Sequence, residues 1–152
     1  MPAYLERDEH FMRLALEQAK IAAKLGEIPV GAVVVKDGEV IGKGYNRREL
    51  DSSATAHAEV LAIEAACKQL GSWRLIDCEL YVTLEPCPMC AGAIINSRIR
   101  RVIYGAKDDK AGCCGSVADF FVMPFNHNPL SRSGILEEDC RRILQDFFAE
   151  LR

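Results

Sequence analysis

Long apolar runs are missing from this chain of 152 residues. Val30–Val35 and Ala91–Ile95 are the size of a strand and a helix, far short of the ~20 residues a membrane span needs. No membrane partner is therefore expected. Tyr4-Leu-Glu-Arg-Asp-Glu-His10 reads as too charged for a signal peptide. An excess of one charge is missing too: 19 Lys and Arg against 22 Asp and Glu leave a formal net charge of −3. That excludes broad attraction to nucleic acid, so any polyanion has to be held by a local basic patch. Internal repeats, low-complexity segments and linker-like shifts are absent as well, and residues 1–152 read as a single domain large enough to bury a core. Cysteine is what the chain does have. Seven of them, an odd count without a leader, argue against a disulfide scaffold and for a reducing, cytoplasmic compartment.

The pattern alternates helices and strands. Apolar residues at Met12, Ala15, Leu16, Ala19 and Ala23 predict a helix from about Asp8 to Leu25, with Gly26 suited to end it. Val30-Gly-Ala-Val-Val-Val35 predicts a strand covered on both faces. Lys36-Asp37-Gly38 predicts a tight turn, and Val40–Tyr45 the returning strand of a hairpin. Thr55 is placed to cap a helix that turns Val60, Ile63, Cys67 and Leu70 inward and stops at Gly71. Leu80–Leu84 predicts a strand, followed by a short helix to about Ser97. Arg101–Gly105 predicts a further strand, parallel to its predecessor because a helix crosses between them. Val117–Ser133 is hard to read, as some helix and then a loop with Asn126-His-Asn-Pro129. The last helix carries Leu136, Cys140, Ile143, Leu144, Phe147, Phe148 and Leu151 on one face, behind an acidic first turn at Glu137-Glu-Asp139. The expected fold is a three-layer α/β/α sandwich with a hairpin at one edge of a mixed sheet.

The chemistry concentrates in Thr83-Leu-Glu-Pro-Cys-Pro-Met-Cys90, read with Thr55-Ala-His-Ala-Glu59. Pro86 and Pro88 fit only a first helical turn or the loop before it, which puts Cys87 and Cys90 at a helix N-terminus. There the free N–H groups and the positive end of the helix dipole favour thiolates. With His57 as third ligand the set leaves a tetrahedral ion one open position, as catalytic zinc sites do and closed structural ones do not. Glu59, two residues past the histidine, is then the proton carrier.

His57-Ala-Glu59 and Pro86-Cys-Pro-Met-Cys90 match the zinc-deaminase signature H-x-E…P-C-x-x-C. Around them, Pro29-Val-Gly-Ala32, Gly44-Tyr-Asn46, Tyr81–Cys87, Met89–Ala93, Ser97-Arg-Ile99, Gly105-Ala-Lys-Asp108, Gly134-Ile-Leu136 and Asp146-Phe-Phe148 resemble the bacterial tRNA-specific adenosine deaminases, nearly end to end. That resemblance implies a cytidine-deaminase-like fold with a five-stranded sheet and one zinc ion per chain. It implies hydrolytic conversion of adenosine to inosine at the wobble position of a tRNA anticodon, through zinc-activated water with Glu59 as proton shuttle. The partner would be a tRNA anticodon stem-loop, and the assembly a homodimer. Asn46 would read the base edge, an amide offering both donor and acceptor. Pro29, Val30, Ala58 and Leu84 would complete the pocket. Asp108 would accept from a ribose hydroxyl, and Lys107, Lys110, Arg98, Arg100 and Arg101 are candidate phosphate contacts.

Other readings compete. A zinc deaminase of a free base or nucleoside, guanine or cytosine in particular, shares the metal motif. A non-catalytic zinc subunit that binds RNA has no need of Glu59. A redox Cys-x-x-Cys pair leaves both His57 and Glu59 idle. Cys67, Cys78, Cys113, Cys114 and Cys140 are expected to pack, and His10 and His127 to be surface or loop groups. Asn46 has a second reading, as an αL residue ending its strand.

Overall fold

The computed structural model describes residues 1–151. Strict alternation along the strands builds it. Ala32, Val34, Leu80, Val82, Val102 and Tyr104 face one core, while Val33, Val35, Tyr81 and Ile103 face the other. Such a sheet needs a helical layer on each side. The helices are α1 (Ala3–Lys24), α2 (Ala58–Leu70), α3 (Pro88–Ser97) and α4 (Glu137–Glu150). The strands are β1 (Gly31–Lys36), β2 (Glu39–Tyr45), β3 (Cys78–Leu84), β4 (Arg101–Ala106) and β5 (Leu130–Arg132), in sheet order β2-β1-β3-β4-β5. α2 and α3 cover the first face and α1 and α4 the second.

The sheet is mixed: β1 runs antiparallel to β2 and β3, whereas β3, β4 and β5 are parallel. The β1–β2 turn is Asp37-Gly38, with φ of 51° and 79°, the positive pair that two-residue hairpins favour. Gly26 ends α1 at φ 80°, its N–H and that of Glu27 donating to Ala23 O and Ala22 O. The expected three-layer sandwich with an edge hairpin and a mixed five-stranded sheet is what forms.

Three local expectations differ. Thr55 does not cap α2; the N-cap is His57, and the Thr55 hydroxyl lies 3.3 Å from that of Ser53 instead. Of the expected inward face of α2, Ile63 is buried and Cys67 packs partly buried against the core, whereas Val60 is only half-buried and Leu70 exposed; the rest of that face is Ala58, Glu59, Ala62 and Ala66. The reason lies in β2. A Cβ on Gly42 would run into the backbone at Ala62 and Ala66, and one on Gly44 would lie 2.6 Å from Ala58 O. Strand and helix approach so closely that only alanine fits between them. Finally, Val117–Ser133 holds a single 3-10 turn, Phe120–Val122, and the short edge strand β5. Asn128 ties the segment down by donating to Phe121 O and Met123 O, and His127 Nε2 lies 2.6 Å from Ile99 O.

Asp8 is fully buried. It accepts from Arg101 at 2.6 and 3.2 Å and from the Tyr81 hydroxyl at 2.8 Å, while Arg101 also donates to Glu79 at 2.7 Å. Burial and the Asp8 hydrogen bond push the Tyr81 hydroxyl well above its usual range. Arg101 is therefore a structural cation, not a phosphate contact. Phe147 is half-buried and Phe148 exposed on α4, whose one fully buried residue is Cys140.

Candidate active site

The beginning of β1 and the ends of β2, β3 and β4 lie at one end of the sheet, since Gly31 pairs with Tyr45 and Leu84 with Ala106. Crevices outside the carboxyl ends of strands are where α/β sheets bind ligands. Here the first turns of α2 and α3 meet. His57 and Cys87 are the two N-caps, both in extended backbone and neither capping its own helix with its side chain. Pro88 takes the N1 position, for which its fixed φ is suited, so Cys90 points from the first turn of α3 to the same side as Cys87.

His57 Nδ1 lies 3.6 Å from Cys87 Sγ and 3.5 Å from Cys90 Sγ. A tetrahedral zinc with bonds of about 2.3 Å to sulfur and about 2.0–2.1 Å to nitrogen requires N···S separations of roughly 3.5–3.6 Å. The donor set fits zinc in spacing and in chemistry, two thiolates and an imidazole suiting that metal. Among the described residues, no fourth His, Cys, Asp or Glu joins this group. The side chains also perturb one another. Donation from the Cys90 thiol, opposed by burial and helped by His57, pulls Cys87 down to about 4. The same hydrogen bond raises Cys90, and the bond to Cys87 raises His57.

Glu59 lies in the first turn of α2 and is 4 % exposed. Burial pushes its carboxyl up to about 7, with its own backbone N–H and His57 acting in the opposite direction. It faces a cavity of about 250 Å³ lined also by Ile28, Val30, Asn46, Ala58 and Leu84. That is smaller than the ~300–1,000 Å³ of drug-sized sites.

The family model described as MafB19-like deaminase matches residues 6–152. This chain belongs to the MafB19-like deaminase family. The tRNA-specific adenosine deaminase of Bacillus subtilis (strain 168) is 49% identical to this deaminase over 149 residues, covering 97% of this chain and 92% of the relative. A solved structure from a study of A-to-I editing by tRNA:A34 deaminases at the wobble position superposes with TM-score 0.86 at 48% identity, over 89% of this chain and 99% of the other. The guanine deaminase of Nitrosomonas europaea is more distant, with TM-score 0.79 at 26% identity, over 98% and 94%. The likeness to tRNA-specific adenosine deaminases read from the motifs thus extends over nearly the whole deaminase.

Of the expected site residues, Val30, Asn46, His57, Ala58, Glu59, Leu84, Cys87 and Asp108 meet around the cavity, and Cys90 lies behind it in the ligand cluster. Pro29 is buried between two lining residues without lining the cavity itself, and Lys107 and Lys110 are exposed outside it. Asn46 is 6 % exposed and has no positive φ, so the αL reading falls. Its amide donates to Ile28 O and accepts from Arg48 N, each at 3.2 Å, which fixes its orientation. Asp108 Oδ1 accepts from Lys110 N at 3.0 Å and Ala111 N at 3.2 Å. Arg98 donates to Ile95 O and Asn96 O at the far end of α3, beside Trp73.

Ile28, Arg48, Glu85 and Ala111 also line the deaminase cavity, and sequence reasoning did not single them out. For Arg48 a signal existed. In the pair Arg47-Arg48, Asp51 stands four residues after Arg47, and the structure joins those two at 3.0 Å. Among the described residues no carboxylate pairs with Arg48.

Proposed function

We propose that this chain deaminates adenosine to inosine hydrolytically at the wobble position of a tRNA anticodon. The observation that carries the reading is the meeting of a zinc-spaced His57, Cys87 and Cys90 with the buried Glu59 at one small cavity. Identity of 49% to a tRNA-specific adenosine deaminase supports the substrate. A base inside a stack cannot reach such a cavity, so the adenosine enters flipped out.

His57, Cys87 and Cys90 would hold one zinc ion. Bound there, it lowers the pKa of a water and so supplies a nucleophile at neutral pH. Glu59 takes the proton of the attacking water and hands it to N1 of the adenine as oxygen bonds to C6. The same carboxylate then takes the second water proton from the hydroxyl now on C6 and delivers it to the departing amine, so one water enters, one ammonia leaves and N1 keeps its proton. A carboxyl pushed up to about 7 is suited to both halves of that exchange. Asn46 reads the base edge with the hydrogen-bonding capacity left over from its two backbone bonds. Val30, Ala58 and Leu84 shape the walls, and the buried Pro29 precedes Val30 without lining the cavity. Asp108, with Oδ1 engaged by its own loop, offers its other oxygen to a ribose hydroxyl, and Lys107, Lys110 and Arg48 meet phosphates.

Residues 1–152 are taken as one deaminase domain, acting in the cytoplasm as a homodimer in which both chains shape each substrate groove. Among the described residues no helix is long and apolar enough to cross a membrane. The decisive assay compares ammonia or inosine release from an anticodon stem-loop with release from free guanine, cytosine and cytidine. Turnover of the stem-loop alone is expected. Turnover of a free base with the stem-loop untouched would replace this reading by a free-base deaminase.

A further inference from the structure

One carboxylate beside the metal ligands has no part in the proton transfers. Glu85 stands between the last residue of β3 and the N-cap of α3, is 2 % exposed, and lines the same cavity as Glu59. Its oxygens are fully occupied by a single loop. Oε1 accepts from Asp108 N at 3.1 Å and from Ser116 Oγ at 2.5 Å. Oε2 accepts from Cys114 N at 3.0 Å and from Ser116 N at 3.1 Å. Cys113 N adds a bond to Pro86 O at 2.8 Å, and Val117 N closes the loop on Gly112 O at 2.9 Å. Gly112 passes so near that a Cβ there would overlap the Glu85 carboxyl group. The tethered loop presents Asp108 and Ala111 to the cavity.

Both ends of the loop are thus gathered on one side chain. Between Asp108 and Ala111 its shape is fixed internally, by the Asp108 Oδ1 bonds to Lys110 N and Ala111 N. What remains to be set is the height of that rigid piece over the face carrying His57 and Glu59, and Glu85 is what reaches across. Only an ionised carboxylate can accept all four bonds without presenting a donor.

We propose that Glu85 is a positioning residue for substrate: it holds the Asp108–Ser116 loop at the distance from the metal-binding face at which Asp108 and Ala111 grip the flipped nucleoside. This rests on the reading that the cavity takes an adenosine within RNA. Glu85→Gln separates grip from packing because it keeps the volume. An amide has one acceptor and a two-hydrogen donor. With its oxygen toward Cys114 N and Ser116 N, its NH2 meets Ser116 Oγ, which can accept, and the Asp108 N–H, which cannot. The Asp108 end is released while the other end stays tied.

The test uses full-length, zinc-loaded enzyme and an adenosine-bearing anticodon stem-loop, with rates taken per bound zinc. For Glu85→Gln, KM should rise by about 10-fold, the scale of a lost hydrogen bond to a charged group. kcat should stay within about 3-fold, the pattern of lost ground-state binding. Ser116→Ala, which removes one donor from the loop rim, should shift KM in the same direction by less and carries the test if Glu85→Gln does not fold. Asp108→Ala should cost less in the Glu85→Gln background than in the wild type, because an untethered Asp108 has less grip to lose. A merely structural Glu85 would lower Tm and the active fraction with KM unchanged. That result, or strict additivity with Asp108→Ala, overturns the inference alone. A wild-type enzyme that leaves the stem-loop untouched overturns the functional reading, and this inference with it.

Discussion

Adding a single methyl group to Gly44 tests whether the placement of α2 controls the chemistry. An alanine Cβ there would lie 2.6 Å from Ala58 O and 2.8 Å from Ala62 N, where ordinary contact begins near 3.4 Å. The first turn of α2 has to back off by most of an ångström, and that turn follows His57 and carries Glu59. A misplacement of ~1 Å can cost about 100-fold in rate, and loosened support of a metal ligand costs about 10–100-fold in affinity or activity. We therefore expect Gly44→Ala to lose about 10–100-fold in kcat/KM together with a weaker hold on zinc. Gly42→Ala is the control. Its Cβ meets the same helix one turn further on, at Ala62 and Ala66, away from the site. Both variants overpack and should lose about 1–3 kcal/mol, at roughly 3 °C of Tm per kcal/mol for a chain of this size. The assay is stem-loop turnover per bound zinc beside a thermal melt. If Gly44→Ala keeps both kcat/KM and zinc affinity close to those of Gly42→Ala, the glycine contact only packs the helix and the argument is wrong.

Glu59→Gln should lose turnover by about 10²–10⁴-fold while keeping its zinc; loss of the metal in that variant, read by elemental analysis, would count against the proton-shuttle role. Asp8→Asn should destabilise by about 3–5 kcal/mol, the cost of breaking a buried ion pair, with kcat at 25 °C unchanged because the network lies away from the cavity; a Tm within 2 °C of wild type would show that Arg101 is satisfied by Glu79 alone. Arg48→Ala should raise KM for the stem-loop and lower the slope of log KM against log salt by about 0.7, the single-strand value for one phosphate contact, and an unchanged slope would take Arg48 out of the interface.

The layered fold was legible because its pattern is local. Odd and even positions of Val33–Val35 and Leu80–Val82 go to opposite cores, and Asp37-Gly38 marks its turn by type. The metal triad was legible because two ligands share one helical turn and Pro88 marks where that turn begins. Where the deciding partner is distant in sequence, the residues gave a different impression. Ala58, Ala62 and Ala66 look like a weak stripe until Gly42 and Gly44 are known to press on them. Arg101 looks like a free cation, and its partner Asp8 lies 93 positions away. β5 is three residues long, and its Leu130 is 66 % exposed. It is a strand only because β4 is beside it. Glu85 stood inside a motif block, but the four donors that define it come from a loop more than twenty residues on.

His57 and Cys87 occupy the positions at which Ser, Thr, Asp or Asn would ordinarily finish off a helix start, and neither spends its side chain that way. Two helix beginnings are thus left open toward each other, secured through a histidine and a cysteine 3.6 Å apart rather than each by its own cap. Chelation should accordingly fray both at once, so the metal-stripped protein would gain protease cuts beside His57 and Cys87 together. Such paired cuts would show that, for these two turns, taking up the ion and finishing folding are a single event.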